Sequence, residues 1–172
     1  MHRLDEDAQA WTEKRANEGT AVHKAIEQAW RGDAYDQRYA GHVSKVMHAL
    51  GEIGLDFVGD FKTKDTLEGK TERMLFFDEH VMQLAAYRAG IAAKVPGGLQ
   101  FEAPFATTRY GGRVDVLQGD PRKAKLASIM VGMNPASVMV KVWTQEECDR
   151  GLELFELALR VWQLKNHWRP QP

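Results

Sequence analysis

The sequence predicts an α/β protein in which a central mixed β-sheet is flanked by helices. Segments with apolar residues at three- and four-residue spacings, typical of amphipathic helices, alternate with short runs rich in β-branched and aromatic residues, typical of strands. No internal repeat or low-complexity tract breaks this alternation. The length of 172 residues and the hydrophobic content of 44% are those of one ordinary globular domain. We therefore expect a single domain over residues 1–172.

Two helices are predicted in the first third of the chain. The first covers residues 5–31, with an interruption or bend near Gly19. Its candidate apolar positions are Trp11, Val22, Ile26 and Trp30. The second covers residues 36–53 and has the spacing of a buried stripe. That stripe consists of Val43, Val46, Met47, Leu50 and Ile53.

Strands and two further helices follow. Strand-like runs lie at 56–62, 100–107, 110–118, 127–132 and 137–143. A helix over residues 77–93 separates the first run from the others. The last helix begins with a capping box, in which Thr144 caps the helix and Glu147 reaches back to it. Its predicted apolar face is Leu152, Phe155, Leu159 and Trp162.

Composition excludes several classes of protein. The formal net charge of −1 gives no bulk basicity of the kind that marks many nucleic-acid-binding proteins. The single cysteine, Cys148, excludes an intrachain disulfide framework and an iron–sulfur cluster held by cysteines alone. No apolar run has the roughly 18 residues needed to span a membrane. We expect a soluble, cytoplasmic protein without a membrane partner.

The stretch "GDFKTKD" at residues 59–65 carries the first chemical signal. Residues two apart in a strand point to the same side, so Asp60 and Lys62 are predicted to share a face. A carboxylate and an ammonium group would then lie close together.

Three further patterns are weaker when each is taken alone. His23 and Glu27 are four apart on the first helix, as a surface His–Glu pair would also be. Gln83 and Tyr87 have the same spacing on the third helix, where a partly buried amphipathic helix explains them equally well. Asp115 stands between two valines in "GGRVDV", which fits either a solvated strand face or a functional site.

Together, the patterns G-T-x-x-H-x-x-x-E, G-G-x-x-D, D-x-K-T and Q-x-x-x-Y resemble the PD-(D/E)XK nuclease superfamily, in particular its RecB-type and lambda-exonuclease-like branch. The resemblance runs from about residue 8 to about residue 166 and implies a restriction-endonuclease-like core. It implies that Asp115 and Asp60 are the metal-binding acids and that Lys62 is the catalytic lysine. It also implies His23 as an added metal ligand. Glu27 stands where several relatives have an acid.

The resemblance also implies Mg²⁺ or Mn²⁺ as the cofactor. Two carboxylates and a backbone carbonyl, that of Phe61, are oxygen ligands of the type these cations prefer, and they leave positions open for water and phosphate. An imidazole ligand favours Mn²⁺ somewhat. Residues expected to line the substrate site are Thr63, Gln83, Tyr87 and Arg113. Additional candidates for phosphate contacts are Lys64, Arg88, Arg109 and the run 122–125.

The order of the motifs differs from that of the family. The hairpin that carries Asp115 follows the Q-x-x-x-Y helix instead of preceding the D-x-K-T strand, so the strand order is predicted to be permuted. Two alternatives to Asp115 are weaker. Asp56 lies four residues before Asp60, roughly 13 Å along a strand, which is too far to share one metal. Ser44, in "YAGHVS", is a poor ligand for Mg²⁺.

The function that follows is a metal-dependent DNA nuclease, most readily a phage or prophage exonuclease of DNA recombination or repair in a bacterial cytoplasm. Its expected partners are linear duplex or single-stranded DNA ends, further copies of itself, and a single-strand annealing or recombination protein. One alternative is an inactive module that keeps the fold and binds DNA or protein. Another is an endonuclease with the same site.

Overall fold

The computed structural model describes residues 2–54, 57–93, 106–107, 113–114 and 121–168. The helices are α1 (His2–Trp30), α2 (Ala40–Ile53), α3 (Glu72–Leu75), α4 (Asp78–Ala93) and α5 (Gln145–Lys165). The strands are β1 (Phe57–Lys64), β2 (Ala106–Thr107), β3 (Arg113–Val114), β4 (Lys125–Gly132) and β5 (Ser137–Trp143). Short 3-10 turns cover Gln37–Tyr39 and Pro121–Lys123. Among these residues the class is α/β, as predicted.

The sheet is small and mixed. Its strand order is β1-β4-β5, with helices flanking it. Beyond the ends of β1 and β4 the backbone pairing continues, because the N–H of Met133 donates to the carbonyl of Lys64 at 2.9 Å and that of Asn134 to Asp65 at 2.8 Å. A separate antiparallel pair joins β2 to β3, with Ala106 opposite Val114. The rest of the predicted runs 100–107 and 110–118 lies outside the described residues.

The chain forms two compact units. Unit 1 comprises 1–52, 61–69 and 129–139. Unit 2 comprises 53–60, 70–128 and 140–172. Each strand of the three-stranded sheet contributes residues to both units, and the single-domain organisation stays a prediction.

Unit 1 contains α1 and α2, whose buried residues follow the predicted spacings. Val22 and Ile26 of α1 are buried, and so are the α2 residues Val43, Val46 and Leu50. The structure differs from the expectations for α1 at two positions. The helix continues through Gly19 without interruption, and Trp11 is 56% exposed, with the Arg15 guanidinium 5.2 Å above its ring.

Unit 2 is built on α4, α5 and the first part of β4. Leu126, Ala127 and Ser128 of β4 are fully buried. The helices α4 and α5 pack closely at Gly151, where an added Cβ would lie 3.0 Å from the carbonyl carbon and oxygen of Val81. The side chain of a larger residue at position 151 would therefore press against the backbone of α4.

The predicted capping box at the start of α5 is present. Thr144 Oγ1 accepts from the Glu147 N–H, and the Glu147 carboxylate accepts from the Thr144 N–H. The predicted apolar face was only partly right, because Leu159 is 38% exposed and Trp162 52% exposed. No helix among the described residues is long and apolar enough to cross a membrane.

Candidate functional site

The D-x-K element lies in β1, as predicted. Phe57 and Val58 at the start of this strand are buried and anchor it. Asp60 and Lys62 follow, and both side chains are half-buried. Because strand residues alternate between faces, the carboxylate and the ammonium group lie on one face of β1. Oδ2 of Asp60 is a buried atom.

Two residues of α1, one helical turn apart, pack against the neighbouring positions of β1. An ideal Cβ on Gly19 would lie 2.6 Å from Oγ1 of Thr63. The ring of His23 makes an edge contact with the ring of Phe61, with 6.3 Å between centroids. Phe61 and Thr63 are two apart, so they share the face of β1 opposite to Lys62. The G-T-x-x-H motif therefore meets the second and fourth positions of D-x-K-T.

His23 itself is half-buried, and its Nε2 atom is buried. The interpretation of His23 and Glu27 as a mere surface pair does not describe this helix well. Glu27 forms an ion pair with Arg31, one turn further along α1. That ion pair gives Glu27 a local structural role beside its predicted accessory one.

The Q-x-x-x-Y motif lies on α4 in unit 2. Nε2 of Gln83 donates a hydrogen bond to Oη of Tyr87, and both side chains are half-buried. The buried residues of this helix, Val81, Leu84 and Ala85, hold it in the core of unit 2. The four-residue spacing therefore brings Gln83 and Tyr87 together as a pair.

The other predicted metal-binding acid, Asp115, lies outside the described residues, and so does Arg109. The backbone of Arg113 is described, and it lies opposite Thr107 in the β2–β3 pair. This pairing agrees with the predicted hairpin at its four described residues, 106–107 and 113–114. Arg88, a candidate phosphate contact, donates instead to the carbonyl of Ala124 at 3.2 Å.

An ion pair that the sequence did not predict ties α1 to the end of β1. Nη1 of Arg15 lies 2.8 Å from Oδ1 of Asp65. Asp65 directly follows the D-x-K-T-K run, and Arg15 lies one turn before Gly19. Their opposite charges allow an ion pair, but nothing in the sequence indicates that these two segments lie close together.

The donor types present fit a hard divalent cation in part. Asp60 offers a carboxylate and Phe61 a backbone carbonyl from the same strand, and oxygen ligands are those that Mg²⁺ and Mn²⁺ prefer. Within the described residues there is no group of three or more His, Cys, Asp or Glu side chains that could hold a metal ion. Asp115, the other metal-binding acid that the resemblance implies, lies outside the described residues and is not covered by that statement.

Cys148 is the one cysteine of the chain, and it is buried. Burial raises the pKa of its thiol above the ordinary value. A thiol of this kind is mostly protonated at neutral pH and is a poor nucleophile, in line with the absence of a nucleophile motif around it in the sequence.

The chain was compared with protein-family models, with curated proteins and with solved structures. No family model, curated protein or solved structure matches it. The likeness to PD-(D/E)XK nucleases therefore rests on the sequence motifs alone.

Proposed function

We propose that this protein is a metal-dependent DNA nuclease of the PD-(D/E)XK type, acting as an exonuclease. One observation carries the proposal. Asp60 and Lys62 lie on one face of β1, and the G-T-x-x-H motif of α1 packs against Phe61 and Thr63 on the opposite face of the same strand. Two motifs that are far apart in the sequence thus meet at one short segment.

The proposed ligands of the metal are Asp60, Asp115 and the carbonyl of Phe61. The resemblance adds His23, but its ring contacts the ring of Phe61, on the face of β1 opposite to the Asp60 carboxylate. When bound, Mg²⁺ or Mn²⁺ would lower the pKa of a bound water and offset the negative charge that develops at the phosphate. Lys62 would orient the attacking water or stabilise that charge by a hydrogen bond. A carboxylate and a lysine on one strand face are suited to this division of roles.

Gln83 and Tyr87, two of the residues proposed to hold DNA, are polar and half-buried. Tyr87 and Gln83 support each other through their hydrogen bond, which fixes both side chains on α4. Arg113 completes the proposed substrate contacts. The resemblance also gives Thr63, whose side chain lies against Gly19 on the face of β1 opposite to Lys62. Contacts of this kind to phosphate position the backbone and carry no sequence information, as a general exonuclease requires.

The decisive experiment measures degradation of end-labelled linear duplex and single-stranded DNA beside closed circular DNA, in Mg²⁺ and in Mn²⁺. The proposal expects loss of the linear substrates only. Asp60→Asn and Asp115→Asn should abolish it, and Lys62→Met should reduce it at least about 100-fold, since one preorganised stabilising group is worth that much.

Two matched variants control for purification and for charge. Lys70→Met removes an exposed lysine outside β1, and Asp33→Asn removes an exposed acid of unit 1. Both should keep the wild-type rate. Cleavage of circular DNA would make the protein an endonuclease with the same site. Intact DNA under all conditions, with no Mn²⁺ binding by calorimetry, would refute the nuclease and favour the inactive binding module.

A further inference from the structure

Helix α5 carries two apolar stripes. The first packs towards α4 in unit 2 and includes the buried residues Cys148 and Gly151. The second consists of Leu154, Leu157, Val161 and Leu164, here called the α5 seam. Their exposed fractions are 36%, 60%, 65% and 61%. At 100° per residue, the centre of the seam lies roughly opposite the stripe that faces α4.

The seam has the spacing of a helix–helix interface. Its residues are separated by three, four and three positions, which is the apolar repeat of a coiled coil. Single exposed apolar residues are normal on a protein surface. Four of them in one continuous row mark an interaction surface, and this spacing fits another helix better than a flat surface or a small molecule.

The charges of α5 indicate which helix that is. The first half of α5 is acidic, with Glu146, Glu147, Asp149, Glu153 and Glu156 against the single base Arg150. Residues 157–168 contain Arg160 and Lys165 and no acid. An antiparallel copy of the same helix would place its basic half against the acidic half, and a parallel copy would place like charges together.

We propose that two copies of this chain associate through their α5 seams, with the two helices antiparallel and related by a twofold axis. A twofold interface is self-complementary, because the same surface of each copy serves both sides. The α5 seam supplies the apolar area buried in the dimer, and the charge distribution of α5 makes the two helices antiparallel. The proposal does not depend on nuclease activity.

The test is sedimentation velocity of the full chain over a range of concentrations and salt. The wild type should sediment as a dimer, against the 19.5 kDa of one chain. Val161→Lys should weaken the dimer on the order of 100-fold or more, because it places a charge inside an apolar seam. Gln163→Lys adds the same charge in the same part of α5, away from the seam, and should leave the dimer intact.

A second variant tests the direction and leaves the seam unchanged. Arg160→Glu with Lys165→Glu makes the second half of α5 acidic as well and should weaken an antiparallel dimer about 10-fold at low salt and less at high salt. A wild-type monomer at all concentrations would refute the proposal, as would a dimer that survives Val161→Lys. A dimer indifferent to the charge reversal would refute the antiparallel arrangement. Circular dichroism confirms that each variant is folded.

Discussion

Gly19 of α1 lies directly against Thr63 of β1, so closely that a single added methyl group would sit 2.6 Å from the Thr63 hydroxyl oxygen. Thr63 is the last residue of the D-x-K-T motif, and Gly19 opens the G-T-x-x-H motif. The glycine is therefore needed for close approach of the helix to the strand, and the helix pays for it only in intrinsic helix propensity.

Gly19→Ala should destabilise the protein by about 1 to 3 kcal/mol, because there is no space for the new methyl group between α1 and the Thr63 side chain. The measurement is the free energy of unfolding in urea. Gly51→Ala is the matched control. It lies in α2 with open space around it, and replacing an exposed helical glycine should stabilise by about 0.5 to 1 kcal/mol.

Thr63→Ala should rescue Gly19→Ala. It removes the hydroxyl oxygen at 2.6 Å and leaves the Thr63 Cβ at an ordinary 3.6 Å. A double-mutant cycle then gives a favourable coupling energy between the two substitutions. If Gly19→Ala costs the same with and without Thr63, the contact is not the reason for the glycine.

The sequence predicted most helices well because their apolar spacing is a local property. Val43, Val46 and Leu50 are buried as the three- and four-residue pattern required. The capping box of Thr144 and Glu147 could also be predicted, since both partners lie within one turn. Features of this kind depend on nearby residues alone.

Contacts between distant segments could not be predicted in the same way. A glycine inside a helix indicates an interruption when only propensity is considered, yet Gly19 lies in a continuous helix against Thr63. Trp11 fits the apolar spacing of α1 but is exposed. Apolar spacing does not show over which turns a helix packs against other parts of the protein. The sequence predicted the motifs of the candidate site one by one. The structure shows that the motifs of α1 and β1 are in contact.

Ser128 and Trp143 form a buried polar contact in unit 2. The indole Nε1 donates to Oγ of Ser128 at 3.0 Å, and Ser128 is fully buried. Ser128→Ala should destabilise by about 1 to 3 kcal/mol, since it leaves a buried N–H without its acceptor. Ser44→Ala, at an exposed position of α2, should change stability by less than about 0.5 kcal/mol. Equal unfolding midpoints for both variants would contradict the prediction.

Glu147 should make the stability of the protein depend on pH. Burial tends to raise the pKa of its carboxyl, but hydrogen bonds from Lys141 and Thr144 together outweigh it, and the pKa lies below the ordinary 4.5. The folded state thus favours the carboxylate. Its contribution is present above the unfolded pKa and is lost as pH falls through the folded one.

Glu147→Gln keeps a side chain that can complete the capping box but removes the charge facing Lys141, 2.8 Å away. It should cost about 0.5 to 1.5 kcal/mol at pH 7, and the difference from wild type should shrink towards pH 3. Chemical denaturation at several pH values measures this. A difference that stays constant with pH would exclude the charge as the cause.

Cys148 should react with thiol reagents only when the protein opens. Its side chain is buried, and burial raises the pKa of the thiol. We expect Ellman's reagent at pH 8 to react with the folded protein at least about 100-fold more slowly than with the protein unfolded in guanidinium, since the reagent needs an accessible thiolate. Rapid labelling of the folded protein would contradict the burial of Cys148.

Mn²⁺ should stabilise the wild type and not Asp60→Asn. A ligand that binds only the folded state at 100 times its Kd stabilises by about 2.7 kcal/mol, which for a domain of this size raises the melting temperature by roughly 5 to 10 °C. Differential scanning calorimetry with and without Mn²⁺ measures the shift. Asp33→Asn, at an exposed position, should show the same Mn²⁺-dependent rise in melting temperature as the wild type. Equal shifts in wild type and Asp60→Asn would place the metal elsewhere, because the carboxylate of Asp60 would then not be a ligand.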